Sequence, residues 1–341
     1  MNKNYKHAFR TIITLLLMGT VFLTACAPTP AAEAPAAEAP AAEAPAAEAP
    51  AAEAPAEGYK ILAVEKTLIN EHWQVMQQGY EFAAGRYGVT VDVISVPTED
   101  DTAEQLAAVE AALAKGYDAI CVSPITSSNL NPALAAATEK GIPIINVDEL
   151  IPADVAKDAG INIVARIASN NYNAGVMAGN YMLSNLDAGS EVVVIEGMAG
   201  NSSGQARRDG FVDTVTAGGF KVVASQPADW DRAKANDVTT NILQANPNVK
   251  GIYYANDTMA LGGMEAVEAA GLAGKIILLG TDAVPEAQQA VADGRLMGTV
   301  AQFPFEMGVL CVENAIKVLE GRPIAMLIES PVKLLLLADV K

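Results

Sequence analysis

Short runs rich in valine and isoleucine alternate with longer amphipathic stretches from Tyr59 to the C-terminus. Apolar runs between turn residues are typical of buried strands, and amphipathic stretches of this length are typical of helices. The predicted strands are 59–65, 89–96, 117–123, 142–147, 162–168, 191–197, 221–226, 251–255, 275–280, 296–301 and 333–337. Strands that alternate with helices favour parallel sheets with helices on both faces.

The number of strands divides this part of the chain into two units. Eleven predicted strands are too many for one comfortable sheet, and the strand–helix pattern restarts after Ser169, where Asn171 opens a new helix. The sequence therefore predicts an α/β fold of two doubly wound parallel-sheet lobes. We expect an N-terminal lobe of 58–168 plus 303–330 and a C-terminal lobe of 169–302 plus 331–341.

The residues at the ends of the predicted helices support this alternation of strands and helices. Asn131 followed by Pro132 is expected to be an N-cap followed by the first helical residue. Gly141, Gly271 and Gly294 stand where predicted helices stop.

The N-terminus has the pattern of a bacterial lipoprotein signal. Basic residues precede an apolar run over 11–23 that is too short to span a bilayer, and Leu23-Thr24-Ala25-Cys26 follows. Residues 1–25 are therefore predicted to be a cleaved signal peptide and Cys26 to carry the lipid. We expect the mature protein outside the cytoplasm, anchored by lipid to the membrane.

The segment 26–57 is predicted to be a tether. Residues 31–55 are five copies of Ala-Ala-Glu-Ala-Pro. Proline at every fifth position removes a helix donor and clashes with the preceding turn, so an extended, like-charged spacer is expected.

Composition narrows the possible partners and cofactors. The 341 residues are 51% hydrophobic, enough for two cores, and the net charge of -18 argues against nucleic acid, whose phosphates need a basic footprint. Cys121 and Cys311 lie in apolar runs without metal-ligand spacing, so buried free thiols are expected, with a disulfide as the alternative. No metal or cofactor is implied.

Polar and aromatic side chains collect where the predicted strands end, which is where parallel α/β sheets bind ligands. They include both tryptophans and one of the two histidines of the chain. Carboxylates, amides and a guanidinium can each engage adjacent hydroxyls, and indole rings can cover the C–H faces of a sugar. The candidates are Asn70, His72, Trp73, Asp148, Glu149, Arg207, Trp230, Asn256, Asp282 and Gln302.

Four motifs carry a family resemblance: 225–232 (SQPADWDR), 254–262 (YANDTMALG), 280–282 (GTD) and 300–302 (VAQ). They resemble the type I periplasmic sugar-binding proteins of ABC importers, and the likeness runs over nearly all of 58–341. The segments around Lys66, Asp148-Glu149 and Arg207 resemble the D-allose branch more than the ribose branch.

The resemblance implies that Asn70, Asp148, Arg207, Asn256, Asp282 and Gln302 bond sugar hydroxyls, with Lys66 and Glu149 as further polar contacts. Trp73 and Trp230 should stack on the sugar ring from opposite lobes. His72 stands where the family pattern has phenylalanine, so it is expected to alter which sugar fits.

The resemblance also implies the mode of action. A monomer is expected to close two lobes on a monosaccharide, a D-allose-like hexose or D-ribose, and to deliver it to an ABC transporter permease without catalysis. The hinge is expected near 166–170, 301–304 and 328–332.

Three other functions remain to be weighed. A receptor for a sugar-like signal, such as a furanosyl autoinducer or an inositol, would have the same fold. The Gly-x-Ser-x-Gly pattern at 200–204 suggests a secreted serine hydrolase, but the histidine outside the signal peptide, His72, precedes the serine, contrary to the order in that fold. A sugar-responsive repressor would need a DNA-binding domain before residue 59, where the chain has a signal peptide and a tether.

Overall fold

The computed structural model describes residues 58–341, so the predicted signal peptide, Cys26 and the tether lie outside the described residues. Residues 58–341 form two six-stranded sheets. None of the helices in this part of the chain is both long enough and apolar enough to cross a membrane.

The strands of residues 58–341 include all eleven that the hydrophobic pattern predicts. They are β1 Lys60–Thr67, β2 Thr90–Val96, β3 Ala119–Val122, β4 Ile144–Val147, β5 Ile163–Ser169, β6 Glu191–Glu196, β7 Lys221–Pro227, β8 Val249–Tyr254, β9 Ile277–Asp282, β10 Gly298–Ala301, β11 Leu327–Ser330 and β12 Lys333–Leu336. The first sheet has the order β11-β5-β4-β3-β1-β2 and the second β12-β10-β9-β8-β6-β7. All neighbours pair in parallel except β12, which is antiparallel to β10.

Helices cover both faces of each sheet. They are α1 Glu71–Tyr87, α2 Thr102–Leu113, α3 Asn131–Glu139, α4 Ala153–Asp158, α5 Asn171–Asn185, α6 Ser202–Ala217, α7 Arg232–Ala245, α8 Asp257–Ala269, α9 Pro285–Ala292, α10 Pro304–Leu319 and α11 Leu337–Val340. We call the first sheet with α1–α4 and α10 the N-terminal lobe, and the second sheet with α5–α9 and α11 the C-terminal lobe.

Each lobe has a core on either side of its sheet. In the N-terminal lobe, α1 and α10 pack on one face and α2–α4 on the other. In the C-terminal lobe, α7–α9 pack on one face and α5 with α6 on the other. The two doubly wound lobes predicted from the sequence are confirmed.

The chain passes between the sheets three times. It leaves the first sheet after Ser169, leaves the second after Ala301 to form α10, and runs from β11 to β12 through residues 331 and 332. The three predicted hinge segments contain these passages, and rotation of the lobes about them stays a prediction.

Two local features differ from the sequence prediction. β11 was not predicted, because its four residues, Leu-Ile-Glu-Ser, have no clear alternation and become a strand by pairing with β5 at the sheet edge. Asn131 is the first residue of α3 and Leu130 takes the N-cap position. By contrast, Gly141, Gly271 and Gly294 follow helix ends with φ between 69° and 74°, as expected of glycine after a helix.

The prediction of two free thiols is wrong. Cys121 on β3 and Cys311 on α10 form a disulfide across 190 residues of sequence, with both side chains fully buried. Sequence reasoning could not pair them, because the pairing depends on α10 crossing back to pack on the first sheet. Such a bond is typical of proteins outside the cytoplasm.

Candidate functional site

One cavity between the lobes collects almost all of the predicted site residues. The empty space in it, part of which is open to solvent, is about 280 Å³. The residues that line it are Lys66, Asn70, His72, Trp73, Glu99, Asp148, Arg207, Trp230, Asn256, Asp282 and Gln302. Of the predicted set, Glu149 alone is not among them.

The N-terminal lobe supplies its residues from strand ends and from the start of α1. Lys66 lies near the end of β1, and Asp148 directly follows β4. Asn70 is the N-cap of α1, where its Oδ1 accepts a hydrogen bond from the backbone N–H of His72 at 3.1 Å. This cap holds His72 and Trp73 in the first turn of α1, at the cavity wall.

The C-terminal lobe supplies its residues in the same way. Asn256 caps α8, Asp282 ends β9, and Gln302 follows β10. Arg207 lies on α6, with Nη1 donating to the carbonyl of Ala255 at 2.7 Å and Nε to Asn171 at 2.8 Å.

Three of the cavity residues have a left-handed backbone. Asp148, Trp230 and Asp282 have φ of 61°, 64° and 121°. Residues other than glycine rarely adopt this region, and such strain collects where a fold must aim a side chain at a ligand.

Opposite charges alternate along the wall of the cavity. His72 Nε2 lies 3.1 Å from Asp148 Oδ2, His72 Nδ1 lies 3.9 Å from Asp282 Oδ1, and Arg207 Nη1 lies 3.6 Å from the same Asp282 oxygen. The imidazole therefore lies between two carboxylates contributed by different lobes.

Burial and neighbouring charge act in opposite directions on these groups. Burial lowers the pKa of His72, but the charge and hydrogen bond of Asp148 outweigh it, so the pKa is raised above 6.5. Burial raises the pKa of Asp148, but His72 and Lys66 bring it down to about 2. The pair with Asp148 therefore favours the protonated form of His72, and Asp148 is a carboxylate at neutral pH.

Two buried polar atoms at the cavity have no hydrogen-bond partner within 58–341: His72 Nδ1 and Gln302 Oε1. Asp148 takes the other ring nitrogen of His72, and Gln302 Nε2 donates to Asp282 at 2.6 Å. One donor and one acceptor are thus available to a hydroxyl group, which can accept from one and donate to the other.

The two indoles line the cavity from different lobes. Trp73 and Trp230 are both buried, and the Trp73 ring meets the His72 ring edge-on with centroids 5.0 Å apart. Trp230 packs closely against Gly197, where a Cβ would lie 2.0 Å from the indole.

Glu99 is a cavity residue that the sequence reasoning missed. Its Oε1 accepts from Trp73 Nε1 at 3.1 Å and from Asn70 Nδ2 at 3.2 Å, so it orients two predicted ligand contacts. It lies three residues past β2, in the same strand-end position as the others, and that signal could have identified it.

The Gly-x-Ser-x-Gly segment opens α6. Asn201 caps the helix by accepting from the backbone N–H of Gly204 at 2.8 Å. The hydroxyl of Ser202 donates to Glu149 at 2.8 Å, and His72 pairs with Asp148 instead. Within residues 58–341, this segment therefore forms no serine–histidine pair of the hydrolase type.

Two doubly wound lobes with a polar cavity at the facing strand ends define a bilobal solute-binding protein. A periplasmic binding protein domain model matches residues 62–323, and the chain belongs to this family.

Named relatives agree with this class. The chain is 46% identical to the D-allose-binding periplasmic protein of Escherichia coli K12 over 72% of this chain and 79% of that protein. It is 33% identical to the ribose import binding protein RbsB of the same organism, over 77% of this chain and 86% of that one. These relatives are named as binding and import proteins, not as enzymes.

Solved structures give the same result. A periplasmic solute-binding protein of an Actinobacillus succinogenes ABC transporter with bound D-allose matches at a TM-score of 0.78 and 34% identity, covering 83% of this chain and 99% of that one. A Caulobacter myo-inositol binding protein with bound myo-inositol matches at 0.76 and 28%, covering 82% and 94%.

Proposed function

We propose that this chain is a lipid-anchored, extracytoplasmic solute-binding protein that captures one neutral monosaccharide between its lobes for an ABC transporter permease. The observation that carries the proposal is the cavity itself. Carboxylates, amides and a guanidinium from both lobes converge there beside two indoles.

Each chemical group has a counterpart on a sugar. Planar carboxylate, amide and guanidinium groups engage hydroxyls by paired, charge-assisted hydrogen bonds. The indoles of Trp73 and Trp230 offer apolar faces to the C–H side of a ring. A D-allose-like hexose or D-ribose is the expected ligand, supported by the names of the relatives and by the D-allose in the related structure.

The test of the ligand is a thermal-shift and calorimetric panel of pentoses, hexoses and inositols. A ligand at one hundred times its dissociation constant adds about 2.7 kcal/mol to the free energy of unfolding. One-to-one binding of a monosaccharide supports the proposal. Hydrolysis of a sugar ester or glycoside that is abolished in Ser202→Ala would contradict it.

The panel also separates the second candidate, a receptor for a sugar-like signal. The structural similarity to a myo-inositol binding protein supports this second candidate. Preference for an inositol over every aldose would indicate that candidate.

The site assignment is tested at Asp282. Asp282→Asn keeps the shape of a buried side chain beside Arg207 and removes its charge. We expect the binding free energy to become less favourable by about 1.5 to 3 kcal/mol, which is the typical contribution of a hydrogen bond to a charged group. The control Asp237→Asn, at an exposed position of α7, should bind as the wild type does. If both variants bind sugar with the same affinity, Asp282 supports the fold and is not a ligand contact.

Anchoring is tested at Cys26, which lies outside the described residues. Cys26→Ser should release the protein from membranes into the soluble fraction. Persistence in the membrane fraction would contradict lipid attachment at that residue.

A further inference from the structure

Glu149 lies at the boundary between the lobes, outside the ligand cavity. It follows β4 of the N-terminal lobe, and its side chain is fully buried. Its carboxylate meets the first two residues of α6 in the C-terminal lobe. Oε1 accepts from the backbone N–H and hydroxyl of Ser202 at 2.6 and 2.8 Å, and Oε2 from those of Ser203 at 3.4 and 2.8 Å.

This carboxylate completes the cap of a helix in the other lobe. The first N–H groups of a helix have no partner within it, and the end of the helix carries a partial positive charge. Asn201 takes the N–H of Gly204, and Glu149 takes those of Ser202 and Ser203. A carboxylate in this position is both charge-matched and fully hydrogen-bonded.

Glu149 is also connected to the ligand cavity. Lys66, which lines the cavity, places its Nζ 3.7 Å from Glu149 Oε2. The preceding residue, Asp148, contacts the cavity directly, and Arg207 lies on the helix that Glu149 caps. Lys66 and Asp148 therefore line the ligand cavity, while Glu149 beside them lies at the boundary between the lobes.

We propose that Glu149, Ser202 and Ser203 form an interlobe clasp that stabilises the closed state, and that Glu149 acts on sugar affinity through closure. The inference rests on the proposed function, since sugar would bind tightly only between closed lobes. Opening the lobes would separate the carboxylate from α6 and leave both to water. The clasp shifts the population towards the closed state, and apparent affinity scales with that population.

The role predicts a pattern that a ligand contact would not produce. Glu149→Gln should weaken binding of every sugar in a panel by the same factor, about tenfold, and should leave their rank order unchanged. The loss should lie mainly in faster dissociation. Ser202→Ala combined with Ser203→Ala should weaken binding in the same way, and adding it to Glu149→Gln should cause little further loss.

A second measurement requires no sugar. Hydrogen exchange of the full chain, followed by mass spectrometry, reports the amides of Ser202 and Ser203 and the facing segment at Ile125, whose carbonyl accepts from Asn201 Nδ2. Glu149→Gln should speed exchange in peptides from both lobes at this boundary. Glu110→Gln, an exposed change on α2, is the matched control and should alter neither exchange nor affinity.

The outcomes separate the two proposals. Unchanged exchange in Glu149→Gln, or a changed rank order of sugars, overturns the clasp while sugar binding by the wild type stands. Faster exchange with no sugar bound by the wild type overturns the proposed function and the role in sugar affinity, while the interlobe contact stands. Faster exchange with a uniform loss of affinity supports both.

Discussion

At the scale of single residues, the cavity holds charges of both signs away from water. His72, Asp148, Asp282 and Arg207 are each less than 10% exposed and lie within 4 Å of a charge partner. Buried ion pairs stabilise a fold weakly, because desolvation offsets their attraction. In this cavity the ion pairs instead fix the orientation of the side chains, since each pair holds a polar group at the cavity wall.

His72 is expected to select among sugars. The Nε2 atom of its ring is paired with Asp148, and Nδ1 is available to the cavity. We expect Nδ1–H to donate to a hydroxyl that phenylalanine could not bond, so His72→Phe should change the order of affinities across an epimer panel measured by calorimetry.

The pH dependence provides the control. The pKa of His72 is raised, so the Nδ1–H donor is present at pH 6 and is lost as pH rises through that pKa. Wild-type affinity should therefore fall towards pH 9, whereas the His72→Phe profile should stay flat over that range. If the two proteins show the same order of sugar affinities and the same pH profile of affinity, His72 only packs in the cavity wall.

Glu65 is a buried carboxyl group in β1 whose two oxygens have no hydrogen-bond partner among the described residues. Burial, with a smaller effect from Glu81, raises its pKa from 4.5 to about 9. The folded state keeps this proton at neutral pH, and the unfolded state loses it above its ordinary pKa. The contribution of Glu65 to stability is therefore largest at low pH, and it falls as pH rises towards about 9.

Glu65→Gln should remove this dependence of stability on pH. Relative to the wild type, it should gain about 1.4 kcal/mol in unfolding free energy per pH unit between those two pKa values, as an upper limit. Urea unfolding at pH 5, 6, 7 and 8 measures the difference, with Glu110→Gln as the exposed control. Parallel profiles for wild type and Glu65→Gln would show that Glu65 is ionised in the folded state.

At the scale of elements, the connection from β6 to α6 positions Trp230. Gly197, directly after β6, would place a Cβ 2.0 Å from the Trp230 indole. Interiors are packed without spare volume, so an added methyl must displace the ring.

Gly197→Ala is therefore expected to weaken sugar binding by tenfold or more and to alter tryptophan emission. Gly85→Ala is the matched control, because a Cβ there meets nothing within 4 Å on helix α1. The control should bind normally and stabilise the fold by about 0.5 to 1 kcal/mol. Normal binding by Gly197→Ala would show that the position of this indole is not required.

At the scale of the whole molecule, the chain returns to the N-terminal lobe as α10 after building most of the C-terminal lobe. The disulfide between Cys121 and Cys311 fastens this returning helix to β3. It restricts the unfolded chain across a long loop, which stabilises the native state by roughly 2 to 4 kcal/mol.

Cys121→Ala combined with Cys311→Ala should lower the unfolding free energy in denaturant titrations by that amount. Sugar affinity should be unchanged, because neither residue lines the cavity. Wild-type protein with and without reductant provides the control, and reduction should lower stability only in the wild type. Equal stability of the double variant and the oxidised wild type would contradict this role.

Most of the architecture was determined by the sequence alone. Buried parallel strands, amphipathic helices and glycine helix ends are local patterns, so the two lobes and the succession of strands and helices along the chain, apart from β11, could be predicted before any contact was known. The strand-end rule together with the family motifs also identified ten of the eleven residues that line the cavity.

Only the tertiary structure decided which distant groups meet. It paired Cys121 with Cys311, placed His72 against Asp148, brought Glu149 to the serines of α6, and turned Leu327–Ser330 into an edge strand. These partners lie from 53 to 190 residues apart. Periodicity and helix signals report only a residue's near neighbours along the chain, whereas these contacts depend on how the sheets and the returning segments pack in space.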